Sequence, residues 1–323
     1  LLDYSRHNSK RDRKVIGNHR GKGYEYATCL AVDPESETVL GIIHDTIVNI
    51  TGPDDQDVMD YDYEPLFANF AEEERERLYE NHRHQMAVHV AGTAPLLSDF
   101  NIIDVGDREF DDIFVLSNCL QEGRNFVIRS VANRNIQLPN YDWIPQSAMT
   151  SRQNGHPLQQ GNVCANFKRL IAHVPLEPYR DVDLDENEQL IYSGTPARVA
   201  KLAIGSFQAT LYRNAKRNGK YFRPPQPLTL NVVVIREIEP PENIKPLQWV
   251  LFTSLPVDTY EQMCYVANQY RLRWKTETFY KLIKSGYGVL KSRLNHANKI
   301  ARLLVVVTLA ALTILNLKKN WLA

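Results

Sequence analysis

The sequence predicts an α/β protein in which a core of strands and helices, formed by residues 1–138 and 247–323, is interrupted by a mostly β segment at 139–246. Three observations lead there. Short apolar, strand-like runs alternate with helical stretches on both sides of the interruption, the pattern of layered α/β folds. Between Pro139 and Pro246, the runs Arg169–Leu176, Arg198–Tyr212 and Leu228–Ile238 sit between Pro, Gly and Asn clusters with little helical periodicity, as β domains do. Finally, 43% of the 323 residues are apolar and 24% charged, which suits one large or two medium folded domains and not a disordered chain.

The elements follow in order. YEYATCLAV (Tyr24–Val32) has strand composition, DPESE is turn-like, and TVLGIIHDTIVNI is a second strand-like run, so the three read as a hairpin. Residues 65–91 are charged and reach Val90 and Ala91 without an internal Gly or Pro, which predicts a helix. FNIIDVGDREF gives a short apolar strand that ends in a glycine and an acid. DDIFVLSNCLQEG is a short helix with Asp111 or Asp112 as its N-cap and Gly123 as its stop. RNFVIRSV is the next strand, and LQWVLFTSLP returns to a buried strand after the β segment. A long helix follows Asp258. The apolar run Leu303–Leu317 is shorter than the roughly 18 residues a membrane span needs and reads as a buried core helix.

Net charge is zero, yet the charge is unevenly spread. Arg6, Lys10, Arg11, Arg13, Lys14, Arg20 and Lys22 face a single acid, Asp12, and residues 213–223 carry Arg213, Lys216, Arg217, Lys220 and Arg223 with none. Such blocks can neutralise phosphates even in a neutral protein, or can be solvated loops. Cys29, Cys119, Cys164 and Cys264 lie far apart with no C-x-x-C pair, which suggests neither a zinc site nor a disulfide framework and fits a reducing cytoplasm. No membrane association is expected.

The chemistry concentrates in YRLRWKTETFYKLIK, residues 270–284. On one α-helix turning about 100° per residue, Arg273, Glu277 and Lys284 would point to about −60°, −20° and −40° relative to Tyr270. The stripe is polar, while Leu272, Phe279, Ile283 and Leu290 lie elsewhere on the helix. A solvated face with pairs such as Arg273–Glu277 is polar too. However, Arg271, Lys275, Lys281, Lys291 and Arg293 surround Glu277, the only acid between 270 and 293. One carboxylate in a field of cations suits a site that gathers a metal and phosphates.

Tyr270, Arg273, Glu277 and Lys284 together resemble the Y-x2-R-x3-E-x6-K signature of the IS-four-type insertion-sequence transposases of the DDE group, matched without a gap. The resemblance implies a ribonuclease-H-like core interrupted by a β insertion, with Glu277 as the third of three metal-binding carboxylates. It also implies DNA contacts by Tyr270, Arg273 and Lys284, to which Lys275, Lys291 and Arg293 add candidates. Arg would grip phosphate through its planar fork and Lys as a point charge. Trp249 is open to core packing, which we prefer, and to stacking on an unpaired base.

The family expects a second carboxylate at the end of a central strand, followed by Arg-Glu. Asp107, Arg108 and Glu109 supply it. Asp107 is preferred to Asp104 because it leaves the strand after Gly106, at the end where α/β sheets place ligands. The first carboxylate should close the first strand ahead of a basic loop and a hairpin. Asp3 fits that order, with Asp45 as the alternative and Asp33 better explained as a turn residue. Three carboxylates within about 4 Å of one another repel strongly unless a cation joins them. Oxygen donors favour Mg²⁺ or Mn²⁺ over zinc, and two such ions roughly 3.5–4 Å apart serve in-line phosphoryl displacement.

The resemblance therefore implies a cut-and-paste transposase catalytic domain working on double-stranded DNA as a homodimer assembled on transposon ends, in the bacterial cytoplasm. Relatives carry an N-terminal DNA-binding segment, and a chain opening abruptly on Leu1 and Leu2 is expected to be a piece of something longer whose cleavage needs that segment. Two alternatives are a non-catalytic DNA-binding relic and a structure-specific nuclease on the same core. Metal dependence would separate the enzyme from the relic, and a joining product would separate it from the nuclease.

Overall fold

The computed structural model describes residues 2–3, 14–15, 22–23, 25–48, 90, 93, 97–132, 134–151, 158–184, 198–212, 227–292, 294 and 297–320. In chain order the described strands are β1 (Leu2–Asp3), β2 (Lys14–Val15), β3 (Lys22–Gly23), β4 (Glu25–Val32), β5 (Val39–Val48), β6 (Ile103–Gly106), β7 (Asn125–Arg129), β8 (Asn135–Pro139), β9 (Asn162–Asn166), β10 (Glu177–Leu184), β11 (Arg198–Leu211), β12 (Leu228–Ile238) and β13 (Gln248–Thr253). The described α-helices are α1 (Ile113–Gln121), α2 (Phe167–Leu170), α3 (Tyr260–Arg271), α4 (Trp274–Lys281) and α5 (Ala297–Asn320). They fall into two compact units, one of Leu1–Leu97 with Leu272–Ala323 and the other of Ser98–Arg271.

The Ser98–Arg271 unit is mixed α/β. Its eight-stranded sheet runs β6-β7-β13-β12-β11-β8-β9, with β10 also paired to β11. β6 and β7 are parallel, from Ile103 opposite Asn125 to Gly106 opposite Ile128, and α1 provides the crossover that a parallel pair requires. The remaining neighbours are antiparallel. The 14-residue β11 carries β12 along one edge and β10 and then β8 along the other. Thus β7 and β13, expected in the core, share one sheet with β11 and β12, expected in the interruption.

Val127, Leu202, Ile204, Val233, Ile235 and Leu251 form one sheet face, covered by Met263, Val266, Ala267 and Tyr270 of α3. Ile103 and Val105 join this cluster, so Asp104 between them points to the opposite face, where its charge reaches Cys119 of α1. Helices thus flank both faces. Phe167 stacks on Phe252 at 5.6 Å between ring centres and meets Phe207 edge-on at 6.1 Å. Arg198 grips Glu237 through two bonds of 2.8 and 2.7 Å, tying β11 to β12.

The other unit holds a three-stranded antiparallel sheet, β1-β4-β5, and a separate β2-β3 pair. The predicted hairpin is β4 and β5. Asp33 serves its turn by accepting from the Glu35 amide at 3.1 Å and the Ser36 amide at 3.4 Å. Tyr26, Phe279, Ile283, Val289, Ile300, Leu304, Val307 and Ala311 make the core, which packs α4 and α5 on the hairpin. Asn316 near the end of α5 donates to the Val39 carbonyl at 2.9 Å.

Three expectations need correction, and one choice between alternatives is resolved. Arg169–Leu176 is not a strand: Phe167–Leu170 is a helical turn capped by Asn166, whose side chain accepts from the Arg169 amide at 3.2 Å, and β10 starts only at Glu177. Of the two cap candidates for α1, Asp112 takes the role, as expected of one of them, at the Phe114 amide, 2.9 Å. Asp111 is instead buried against Arg134 and accepts from the Val131 amide at 2.6 Å. The run Leu303–Leu317 is buried on one face only. Ile300, Leu304, Val307 and Ala311 point inward, while Val305, Val306 and Leu309 are about 60% exposed. Its helix carries a stretch, Lys299–Leu317, long and apolar enough by length and composition to cross a membrane, of which 28% is buried.

The third correction concerns the motif. The single α-helix expected over 270–284 is interrupted: α3 ends at Arg271, Leu272 and Arg273 form a turn, α4 runs from Trp274, and Leu282–Gly286 is a π-helical turn. The break falls where the chain leaves one core, which holds Tyr270, for the other, which holds Phe279. A register of 100° per residue therefore does not carry from Tyr270 to Lys284. The helix expected at 65–91 lies outside the described residues except for Val90, which is helical and buried. The basic blocks at 6–22, apart from Lys14, Val15 and Lys22, and 213–223 lie outside them too.

Candidate functional site

Asp107 stands immediately beyond β6, at the C-terminal end of the parallel strand. Gly106 before it is buried, and a Cβ there would meet the Phe110 ring at 3.0 Å. The missing side chain is what lets the 3₁₀ turn Arg108–Phe110 fold back on the strand end. Asp107 Oδ1 accepts from the Glu109 amide at 2.8 Å and so caps that turn.

Asp104, the alternative, is 7% exposed and pairs with Arg124 at 2.6 Å, while its Oδ2 is buried with no hydrogen-bond partner. Burial outweighs the guanidinium and pushes its carboxyl up to about 6. A carboxylate enclosed in this way is a structural group, and the strand exit at Asp107 is the better position for a ligand.

Asp3 ends β1, opposite Glu25 of β4; its side chain lies outside the described residues. Asp45, on β5, accepts from the Tyr26 hydroxyl at 2.9 Å. Tyr26 also meets Thr308 of α5 at 3.5 Å, and burial first, then the Asp45 charge, pushes its phenol well up. Asp45 is thus engaged within the hairpin by Tyr26, which in turn meets α5.

Glu277 lies on α4 opposite the buried Phe279, with its side chain 42% exposed. Arg273 donates from Nη2 to Glu277 Oε1 at 2.6 Å and places its guanidinium 5.6 Å from the Trp274 ring centre. Lys284, on the π-helical turn, holds its ammonium 5.8 Å from the Tyr280 ring centre. Lys275 reaches Glu37 at 3.6 Å, and Lys291 is exposed. Arg293 lies outside the described residues. Tyr270 is 5% exposed in the core of the Ser98–Arg271 unit. Trp249 pairs with Ile235 across β13 and β12 and packs half-buried on the same core.

The structure therefore brings together Arg273 and Glu277, with Lys284 further along the same unit. Asp107, Trp249 and Tyr270 belong to the other unit. One residue that sequence reading passed over is Tyr280. It sits one turn beyond Glu277 and reads as part of the apolar face of TFYKLIK, and no spacing rule singles it out.

Asp107 in one unit and Glu277 in the other are each accessible oxygen donors, the kind of group a hard divalent cation takes. Among the described residues no three His, Cys, Asp or Glu side chains form a group that could hold a metal ion, and the Asp3 carboxylate is outside that set. No protein-family model matches the chain.

Proposed function

We propose that this chain is the catalytic domain of a DDE-type DNA transposase, with Asp3, Asp107 and Glu277 as its carboxylates. The observation that carries the reading is the position of Asp107, accessible and directly beyond the end of β6, beside β7 in parallel. A mixed α/β unit with helices on its sheet supports the ribonuclease-H-like core that this reading includes.

Asp3, Asp107 and Glu277 would hold two Mg²⁺ or Mn²⁺ ions, and the chemistry so supplied would be activation of the attacking oxygen and stabilisation of the leaving one. The chain's own residues do the rest. Arg273 and Lys284 neutralise phosphate charge. In cleavage, a water oxygen bonds to phosphorus while the bond to the 3′ oxygen breaks, and that oxygen leaves with the electron pair and takes up a proton. In joining, the freed 3′-hydroxyl oxygen gives up its proton and bonds to a target phosphorus while the target's own bond from phosphorus to its 3′ oxygen breaks, and that oxygen leaves with the electron pair and takes up a proton.

The test is an assay on double-stranded DNA bearing the native ends with Mg²⁺, comparing the wild type with Asp107→Ala and Glu277→Ala. Loss of both cutting and joining in each variant is expected. Cutting and joining that persist unchanged defeat the assignment, and cutting without any joined product points to a nuclease.

A further inference from the structure

Tyr280 links the helix that carries Glu277 to the hairpin. Its hydroxyl lies 3.3 Å from the Tyr26 carbonyl of β4 and 2.8 Å from Thr28 Oγ1. A phenol has one proton. The carbonyl can only accept, so Tyr280 donates to it and Thr28 donates to Tyr280. Burial pushes the Tyr280 phenol up to about 12, so both bonds are kept across the neutral range. The ring meets Phe279 edge-on at 5.5 Å, and Lys284 sits over it.

Two features make this more than a packing contact. Glu277 and Tyr280 are three residues apart on α4 and thus neighbours on its surface. The strand that Tyr280 grips, β4, pairs directly with β1, Leu2 lying opposite Tyr26 and Asp3 opposite Glu25. The hydroxyl is therefore fixed to the very residue whose backbone sets the register of the strand ending in Asp3. The same ring carries Lys284.

We propose that Tyr280 is a positioning residue: its hydroxyl, clamped between Thr28 and the Tyr26 carbonyl, sets where Glu277 stands relative to β1. The inference rests on the carboxylate reading above. Groups bonded directly to a ligand typically change metal affinity by about 10- to 100-fold when removed, and Tyr280, which acts through α4 and not by a bond to Glu277, belongs at the lower end.

The experiment is a calorimetric titration of the full chain with Mn²⁺ alone, accompanied by thermal melts, on the wild type, Tyr280→Phe, Thr28→Val, the double variant and Glu277→Ala. Tyr212→Phe is the control for simple loss of a buried hydroxyl, because Tyr212 holds Gln137 at 2.9 Å in the other unit. Tyr280→Phe and Thr28→Val are each expected to weaken Mn²⁺ binding about 10-fold. The double variant should be no weaker than either single, as two halves of one clamp. Tyr212→Phe is expected to melt a few degrees lower with unchanged Mn²⁺ binding. If Glu277→Ala abolishes Mn²⁺ binding but Tyr280→Phe and Thr28→Val titrate like the wild type, the positioning role is wrong and the carboxylate reading survives. If Glu277→Ala binds as the wild type does, the carboxylate reading falls and takes this inference with it. Should Tyr280→Phe fail to fold, Thr28→Val carries the decision.

Discussion

Arg124 donates to Asp104 at 2.6 Å with both side chains under a tenth exposed, and the second oxygen of Asp104 has no partner. An ionised carboxylate that can satisfy only one oxygen is under-solvated, so its pKa rises to about 6 despite the adjacent guanidinium. A folded pKa above the unfolded one means that the native state binds the proton more tightly. The stabilisation is complete below about pH 4 and is lost as pH climbs through about 6. A carboxyl raised from about 4 to about 6 contributes about 3 kcal/mol by this linkage. Asp104→Asn keeps an acceptor for Arg124 and removes the titration. Urea denaturation at a series of pH values should show the wild type losing stability relative to Asp104→Asn between about pH 4 and 6. Parallel curves for the two proteins would contradict the assignment.

Gly205 sits in the middle of β11, where a Cβ would lie 2.0 Å from the Pro175 carbonyl oxygen. That oxygen belongs to backbone, so it cannot swing aside like a flexible side chain. Gly205→Ala must push the segment before β10 away from the sheet. Overpacking of this kind costs about 1–3 kcal/mol, and a backbone clash belongs at the upper end. A urea midpoint within about 0.5 kcal/mol of the wild type would show that the segment yields freely.

The two faces of α5 should respond oppositely to substitution. Leu304 is 3% exposed in the core with Tyr26 and Phe279, whereas Val306 is 65% exposed. Leu304→Ala is expected to destabilise by about 2–5 kcal/mol through lost burial and a cavity. Val306→Lys should stay within about 0.5 kcal/mol. Equal losses at both positions would mean that the exposed face is covered in solution.

The contrast marks what was legible in the sequence. Strands such as LTLNVVVIREI and the hairpin around Asp33 declared themselves because β-branched runs and turn residues act locally. So did α1, bounded by Asp112 and Gly123, and the strand exit at Gly106–Asp107. The break at Leu272–Arg273 had no local sign, since neither Pro nor Gly is present. It arises because Tyr270 and Phe279 are claimed by different cores, which only tertiary structure decides. The composition of α5 announced a buried helix, but burial depends on what is available to cover each face. The short strands NIQLP and NVCAN, flanked by Asn and Pro, were likewise invisible until the edge of β11 gave β8 a partner. The clamp on Tyr280 spans 252 residues to Thr28, and no spacing within the motif hints at it.

Arg273 is expected to oppose metal binding and assist DNA binding. Its guanidinium occupies Glu277 Oε1, so a cation arriving at that carboxylate must share it with a positive charge nearby. The pair is partly exposed, with Glu277 42% accessible, so solvent holds the penalty to about 1 kcal/mol. Arg273→Gln should therefore bind Mn²⁺ alone about fivefold more tightly at low ionic strength. The gain should shrink at about 1 M salt, where screening shortens to about 3 Å. With DNA present, the same substitution would, on the proposed transposase reading, remove a phosphate contact, so cutting should fall although the metal is held better. A drop in Mn²⁺ affinity would mean instead that Arg273 holds Glu277 in its working rotamer. The opposed directions of the two readouts distinguish a phosphate-binding arginine from one that merely braces the helix.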